Sequence, residues 1–178
     1  RGRSGSGSSL KTDRITKEEY RRRFDSLAKP APDASRAVVG NHMHSLLQLV
    51  AAYRNYDESD LAIRALVELV PQHLDLFIDG MEVADSYPRR ALDVAVRMGV
   101  TEAQKEKLIS RLRDHPELAG VIMDRGWQEA ARDELFALID RRKKLPVDAL
   151  RALAWFADSR ADARLIAELH NGSPEDVY

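Results

Sequence analysis

The chain has 178 residues, and its 28 Lys and Arg against 29 Asp and Glu leave a net charge of −1, which excludes an overall electrostatic attraction for nucleic acid. Hydrophobic residues make up 44% and aromatic residues only 6%, a balance that favours aliphatic side chains packed helix on helix. The chain has no cysteine, which excludes disulfides, thiolate metal sites and thiolate nucleophiles but leaves the compartment open, with the cytoplasm favoured over the periplasm or secretion.

The first 15 residues are predicted to be a linker, because Arg1–Ser9 consists almost entirely of Gly, Ser and Arg. The chain begins with Arg1 rather than Met, so we expect a processed or excised piece. No apolar run approaches the roughly 18 residues of a membrane span. Residues 16–178 are predicted to form one helical repeat domain.

Capping signals and apolar spacing predict the first two helices. Thr16 and Glu19 form a capping-box pattern that starts a helix over 17–28, and the Pro residues of 29–35 end it. Asp33 or Ser35 then caps a helix that reaches Arg54. Its apolar stripe recurs every three or four residues: Val39, Met43, Leu46, Val50 and Tyr53.

The later helices begin at a capping residue or a proline and end near a glycine or a charged turn. Trp127–Arg142 is predicted as a strong helix. The remaining predicted ranges are 57–70, 71–84, 86–99, 101–114, 116–126, 146–157 and 159–170. With ten predicted helices, no strand and short loops, the fold class is all-α with antiparallel neighbours.

Two segments of the chain match each other without a gap. Ala84–Gly99 ("ADSYPRRALDVAVRMG") aligns with Ala157–Gly172 ("ADSRADARLIAELHNG"), and both contain Ala-Asp-Ser, a leucine and a final glycine at equivalent positions. The match predicts that Ser caps each helix and that Leu92 and Val96 face inward, as do Leu165 and Leu169. Asp75 and Asp148 correspond just inside the preceding helices.

These features resemble the bacterial HEAT-like helical repeats, whose pattern is an apolar helix, an Asp-containing turn, a leucine-rich helix and a polar cap. The resemblance is best over 127–176, covers 57–178 in total, and implies a short α-solenoid of stacked antiparallel helix pairs. One departure is that the two copies lie an odd number of helices apart, so either 116–125 is an inserted helix or the stack is irregular. The tetratricopeptide repeat fits less well, and a plain helical bundle is the remaining alternative.

No pattern predicts catalytic residues, a cofactor or a metal site. His42 and His44 stand two residues apart in a predicted helix, so their side chains point in different directions and cannot chelate one ion. The chain has no glycine-rich phosphate loop and no serine in a nucleophile elbow.

Two basic runs are explained by helix electrostatics. Glu18 is placed to pair with Arg22, and Glu19 with Arg23, at the favoured four-residue spacing. Asp140–Pro146 ("DRRKKLP") places four cations at the end of a helix, where they complement its carbonyl groups. A phosphate-binding patch is the alternative for this second run.

Trp155 is the most informative single residue. On a helical wheel it falls on the polar side, between Arg151 and Asp148, and away from an apolar side that includes Leu150, Leu153 and Ala154. A tryptophan there either packs on a neighbouring repeat or faces a partner, where Trp and Arg are enriched.

Stacked helix pairs bury a continuous interior and expose a long surface, so we expect a non-catalytic scaffold that binds a protein or peptide. The predicted partner-binding residues are Trp155, Arg151, Arg141 and Arg142. One alternative is a nucleic-acid-binding HEAT-like domain. The resemblance to HEAT-like DNA glycosylases for alkylated purines would imply an Asp and a Trp in a basic cleft, but Asp124 and Trp127 are not spaced to share one helical face. The other alternative is an accessory helical domain of a larger enzyme.

Overall fold

The structure is a computed structural model that describes residues 14–53, 60–81 and 88–171. Within those ranges the chain forms ten α-helices and three 310 helices and no strand, which confirms the prediction of an all-α fold with about ten helices. None of the helices found there is long and apolar enough to cross a membrane. The chain divides into two compact units, here called unit 1 (Arg1–Gly99) and unit 2 (Val100–Tyr178).

The α-helices of unit 1 are α1 (Lys17–Ser26), α2 (Arg36–Tyr53), α3 (Leu61–Leu69), α4 (Leu74–Gly80) and α5 (Arg89–Met98). The longest of them, α2, packs against α1, α3 and α4, while α3 also packs against α5. A 310 helix at Val70–Gln72, with Pro71 in its first turn, follows α3 directly.

Local capping chemistry sets where α2 and α3 begin. The Val38 N–H donates to Ser35 Oγ at 3.3 Å, so Ser35 serves as the predicted cap of α2. The described part of α3 begins at Leu61, with Asp60 accepting from two backbone N–H groups, whereas the predicted start at Asp57 lies outside the described residues. In α2 the predicted stripe is buried at its first four positions, and its fifth, Tyr53, is half-buried.

A buried polar contact fastens α1 to the start of α3. The Tyr20 hydroxyl donates to Asp60 Oδ1 and accepts from the Ala62 N–H at 2.8 Å. Burial, together with the hydrogen bond to Asp60, raises the pKa of the Tyr20 hydroxyl above its ordinary value. The Tyr20 ring also stacks on Tyr53 at 4.7 Å, so α1 is held against both α2 and α3.

At the surface of α1, Glu19 binds both arginines that the sequence assigned to two separate glutamates. Its carboxylate accepts from Arg22 and from Arg23 Nε, the latter at 2.9 Å. The predicted pairing of Arg22 with Glu18 is therefore replaced by a pairing with Glu19, because the three-residue and four-residue spacings bring both guanidinium groups to one carboxylate.

Unit 2 opens on a complete capping box, as predicted: the Gln104 N–H donates to Thr101 Oγ1, and the Thr101 N–H donates to Gln104 Oε1. Two 310 helices, Arg111–Arg113 and Pro116–Leu118, join α6 to α7. The α-helices of unit 2 are α6 (Glu102–Ser110), α7 (Ala119–Asp124), α8 (Arg132–Arg141), α9 (Val147–Ala154) and α10 (Ser159–Asn171).

The predicted start of a helix at Trp127 is wrong, because α8 begins at Arg132. Gly126 has a φ of 69°, its N–H donates to Met123 O, and the Trp127 N–H donates to Ile122 O. This pair of hydrogen bonds is the Schellman arrangement that closes a helix. Trp127 therefore belongs to the cap of α7, and a turn over 127–131 precedes α8.

Helices α8, α9 and α10 pack on one another. The start of α8 meets the end of α9, since Arg132 lies over the Phe156 ring. Arg164 of α10 donates to Ile139 O at 2.8 Å and to Arg142 O, so it satisfies carbonyl groups at the end of α8. A cation from α10, as well as Arg141 in the last turn of α8 itself, thus complements that helix end.

The inward-facing positions predicted from the internal match are buried in the first copy and not in the second. Leu92 and Val96 of α5 are buried as predicted, whereas Leu169 of α10 is 72% exposed and Leu165 is only half-buried. The inward orientation predicted for Leu169 is therefore wrong in the described chain, because a buried face needs a neighbouring helix to cover it. The Ala-Asp-Ser of the first copy and Gly172 of the second lie outside the described residues.

Candidate protein-binding surface

One face of α9 carries side chains that the fold leaves exposed. Val147, Arg151 and Trp155 follow at four-residue intervals and span about 12 Å of helix. Val147 is 51% exposed and Trp155 52% exposed, and Arg151 between them is exposed as well. We call these three residues, with the exposed Ala154 beside them, the Trp155 surface.

The buried side of α9 differs in part from the predicted one. Ala149, Ala152 and Leu153 are buried, whereas Ala154, assigned to the apolar side, is exposed next to Trp155. The correction follows from geometry, because Ala154 lies only three residues after Arg151 and shares its face. The predicted polar-side position of Trp155 agrees with its exposure.

The Trp155 ring packs on an aromatic support that consists of Phe156 and Phe136. Its ring meets Phe156 edge to face at 5.1 Å, and Phe156 meets Phe136 of α8 at 5.3 Å. Ala157 follows with a φ of 49°, a left-handed conformation that ends the run of helical backbone. Phe156 is half-buried between the helices, which leaves Trp155 as the projecting ring.

Two arginines stabilise this aromatic support by cation–π contact. The Arg132 guanidinium lies 5.1 Å from the Phe156 ring and 5.3 Å from the Phe136 ring, and Arg160 lies 5.7 Å from Phe136. Arg132 also approaches Asp158 at 3.8 Å. The side chains that flank Trp155 are thus held in place by contacts within the fold.

The cations of α8–α10 are interleaved with carboxylates. Arg160 pairs with Asp140 at 2.7 Å, and Arg164 pairs with Glu168 at 3.0 Å. These two ion pairs give the surface of α8 and α10 a mixed charge at those positions.

The predicted residues Arg141 and Arg142 differ in their surroundings. Arg142 Nη2 donates to Arg113 O at 3.1 Å and to Asp114 O at 3.3 Å, so its guanidinium holds the segment between α6 and α7 against the end of α8. Arg141 is exposed. The structure therefore leaves Arg141 more available to a partner than Arg142.

His115 and Glu117 form a hydrogen-bonded pair just after the two carbonyls that Arg142 binds. His115 is buried, and its Nδ1 stands 3.3 Å from Glu117 Oε1. Burial acts to raise the pKa of Glu117, but the contact with His115, the backbone hydrogen bond and the charge of Arg142 together lower it. Glu117 and Arg142 thus belong to the same electrostatic network.

The histidines and the Asp124–Trp127 pair considered in the sequence lie apart from the Trp155 surface in the chain. His42 is half-buried and His44 exposed, and no group of three or more His, Asp or Glu suited to a metal lies in the described ranges. Asp124 ends α7, and Trp127 lies beyond Gly126 beneath the Lys105 ammonium at 5.6 Å. Gly126 separates the two as expected.

Sequence reasoning missed the aromatic support. The four-residue spacing of Arg132 and Phe136 signals a helical cation–π pair. Nothing local indicates that Phe156 joins them, because that contact depends on the packing of α9 against α8.

Compared with known protein families, with curated proteins and with solved structures, the chain has no match.

Proposed function

We propose that unit 2 is a non-catalytic binding module, HEAT-like in its helix packing, that recognises a protein or peptide through the Trp155 surface. The observation that carries the proposal is a half-exposed tryptophan on a rigid aromatic support, beside an exposed arginine. Trp and Arg are the residue types that contribute most to protein–protein binding.

The side chains of the surface define the chemistry of the partner. Trp155 and Val147 offer apolar contact at the two ends of α9, and Arg151 between them offers a planar cation that binds carboxylates in bidentate fashion. A matching segment carries an aliphatic or aromatic side chain for Trp155 and an acidic residue about one helical turn away for Arg151. Arg141, beyond the start of α9, adds attraction for an acidic partner.

The distribution of charge supports a protein partner over nucleic acid. Arg132, Arg160 and Arg164 each face a carboxylate, and Arg142 is bound to backbone carbonyls. A nucleic-acid site instead needs several cations directed at phosphates along one path.

Selection of peptides from a random display library, using the intact protein as bait, tests the proposal. We expect enriched peptides that combine an apolar anchor with Asp or Glu, and we expect Trp155→Ala to weaken the best peptide at least tenfold. Arg151→Glu is expected to weaken acidic peptides and to spare neutral variants of the same sequence.

Ile166→Ala is the matched control, because Ile166 is 56% exposed on α10 and lies outside the Trp155 surface. Circular dichroism and thermal unfolding of each variant separate loss of binding from loss of fold. Selected peptides that bind Trp155→Ala as tightly as the unaltered protein would refute the assignment. So would tight, salt-dependent binding of a DNA duplex that Arg141→Glu and Lys143→Glu abolish.

A further inference from the structure

Unit 1 contains a cleft of about 670 Å³, and no residue of the Trp155 surface lines it. Three helices and the proline-containing segment after α1 form its walls, and every residue that lines it lies between 24 and 73. Its volume falls within the range of about 300–1,000 Å³ typical of small-molecule sites.

The cleft is graded from an apolar floor to a polar rim. Val39 and Leu46 of α2 are buried at the floor, and Phe24 of α1 and Leu27, which follows α1, are half-buried in one wall. Opposite them, α3 contributes its own apolar ridge, which consists of Leu61, Ala65 and Leu69.

Charged and hydrogen-bonding side chains also line the cleft. Lys29 and Arg64 are exposed there, with Glu68 as the carboxylate beside them. His42 and His73 are half-buried at the level between rim and floor, where an imidazole can donate one hydrogen bond. Burial lowers the pKa of His42, which favours the neutral form of its ring.

The segment between α1 and α2 forms a rigid wall of the cleft although it is not helical. Pro30 and Pro32 line the cleft within "KPAP", and each fixes its own φ near −65°. The Tyr20–Asp60 contact holds α1 against α3 and so keeps the two apolar walls at a fixed separation. A cleft that persists without its ligand avoids the ordering cost of forming one.

We propose that this cleft binds a small amphiphilic monocarboxylate, with its apolar body between α1, α2 and α3 and its carboxylate at Lys29 and the histidines. The charge balance supports an anion, because the rim carries two cationic side chains against one carboxylate. The apolar floor excludes a fully polar metabolite, since its burial there would leave polar groups without hydrogen bonds.

Titration of the full chain with decanoate, followed by amide NMR, tests this site, and decanol at the same concentration serves as the uncharged counterpart. Both are kept below the concentration at which decanoate forms micelles. We expect saturable shifts confined to cleft residues such as His42, Leu46 and Ala65, and tighter binding of decanoate than of decanol. Lys29→Glu is expected to weaken decanoate about fivefold, as for an exposed ion pair, and to leave decanol unchanged.

Ala65→Phe fills the cleft from α3 and is expected to abolish binding of both compounds. Gln72→Trp, which acts from the exposed rim, is the second blocking variant in case the first does not fold. Lys17→Glu and Ala163→Phe make the same changes at exposed positions outside the cleft and are expected to bind like the unaltered chain.

Several results would overturn the proposal: no saturable shift with decanoate, shifts centred outside the cleft, or equal affinity for decanoate and decanol. Retention of binding by the folded blocking variants would also overturn it. Binding of an amphipathic peptide helix at the same residues, with decanoate inert, would assign the cleft to a different occupant. The Trp155 surface lies on other residues, so failure here leaves the proposed function unaffected.

Discussion

Replacing Tyr20 with phenylalanine removes one hydroxyl from the contact between α1 and α3 and leaves the ring in place. The substitution removes the bond that the hydroxyl donates to the buried Asp60 carboxylate and the one that it accepts from the Ala62 N–H, which also donates to Asp60. Hydrogen bonds to charged groups contribute about 1.5–3 kcal/mol, so we expect the free energy of unfolding to fall by that amount. The fall is limited because Asp60 keeps the Ala62 and Ile63 N–H donors and because the Tyr53 stacking survives.

Urea denaturation followed by circular dichroism measures this change. Tyr53→Phe, which removes a hydroxyl from the other ring of the stacked pair, is the matched control and is expected to stay within about 0.5 kcal/mol of the unaltered chain. In an Asp60→Ala background, Tyr20→Phe should cost at least about 1 kcal/mol less than it does alone, because its partner is already gone. A negligible loss on Tyr20→Phe, or an equal loss in both backgrounds, would refute the reasoning.

Three further predictions concern surface and capping groups. Arg22 and Arg23 lower the pKa of Glu19 to about 2, so carbon-detected NMR should find the titration of its carboxylate near that pH. The stabilisation by these contacts is complete above the ordinary pKa of 4.5 and is lost as the pH falls through 2. A titration midpoint near 4.5 would contradict the pairing. Arg164→Ala should lower the free energy of unfolding, measured in urea, by about 2–3 kcal/mol, because two carbonyls at the end of α8 and the Glu168 carboxylate lose their donor. Arg164→Lys should recover part of that loss. An unchanged midpoint of urea unfolding in Arg164→Ala would show that the contacts are dispensable. Ala157→Gly should raise thermal stability by about 0.5–1 kcal/mol, since the relief at a φ of 49° exceeds the entropy cost of glycine, and a lower melting temperature would contradict this.

Local chemistry made the helix boundaries predictable. Thr101 with Gln104, Ser35 and Asp158 act within a few residues of their own position, so the sequence alone identifies them or an immediate neighbour. Asp158, whose side chain accepts from the Arg160 N–H, takes the capping role predicted for Ser159. The boundary at Trp127 was predicted wrongly. The apolar spacing there is that of a helix start, but the Trp127 N–H closes the preceding helix by donating to Ile122 O.

Tertiary roles were less accessible because they depend on which helices meet. Arg142 was predicted as a partner-binding residue from its place in a basic run, yet its guanidinium reaches two carbonyls some 30 residues earlier in the chain. Leu169 has the spacing of a core residue and is exposed, since burial requires a covering neighbour. The unit 1 cleft draws on three helices and a loop, so no local pattern indicates it.

The two candidate sites share one physical feature, an apolar surface kept in shape by contacts that do not themselves face the ligand. At the Trp155 surface this support consists of Phe156, Phe136 and Arg132. At the cleft it consists of Tyr20 and Asp60. Arg132→Ala is therefore expected to weaken peptide binding without touching the peptide, through a less ordered Trp155 ring.

The fluorescence of Trp155 on addition of a selected peptide tests the central claim most directly. In a Trp127→Phe background Trp155 is the only tryptophan of the chain, and in the unbound protein its ring is 52% exposed. If unit 2 binds through this face, its emission should shift to shorter wavelength and become shielded from a soluble quencher as the peptide saturates. Emission and quenching that stay unchanged at full peptide occupancy would contradict the assignment of the binding surface.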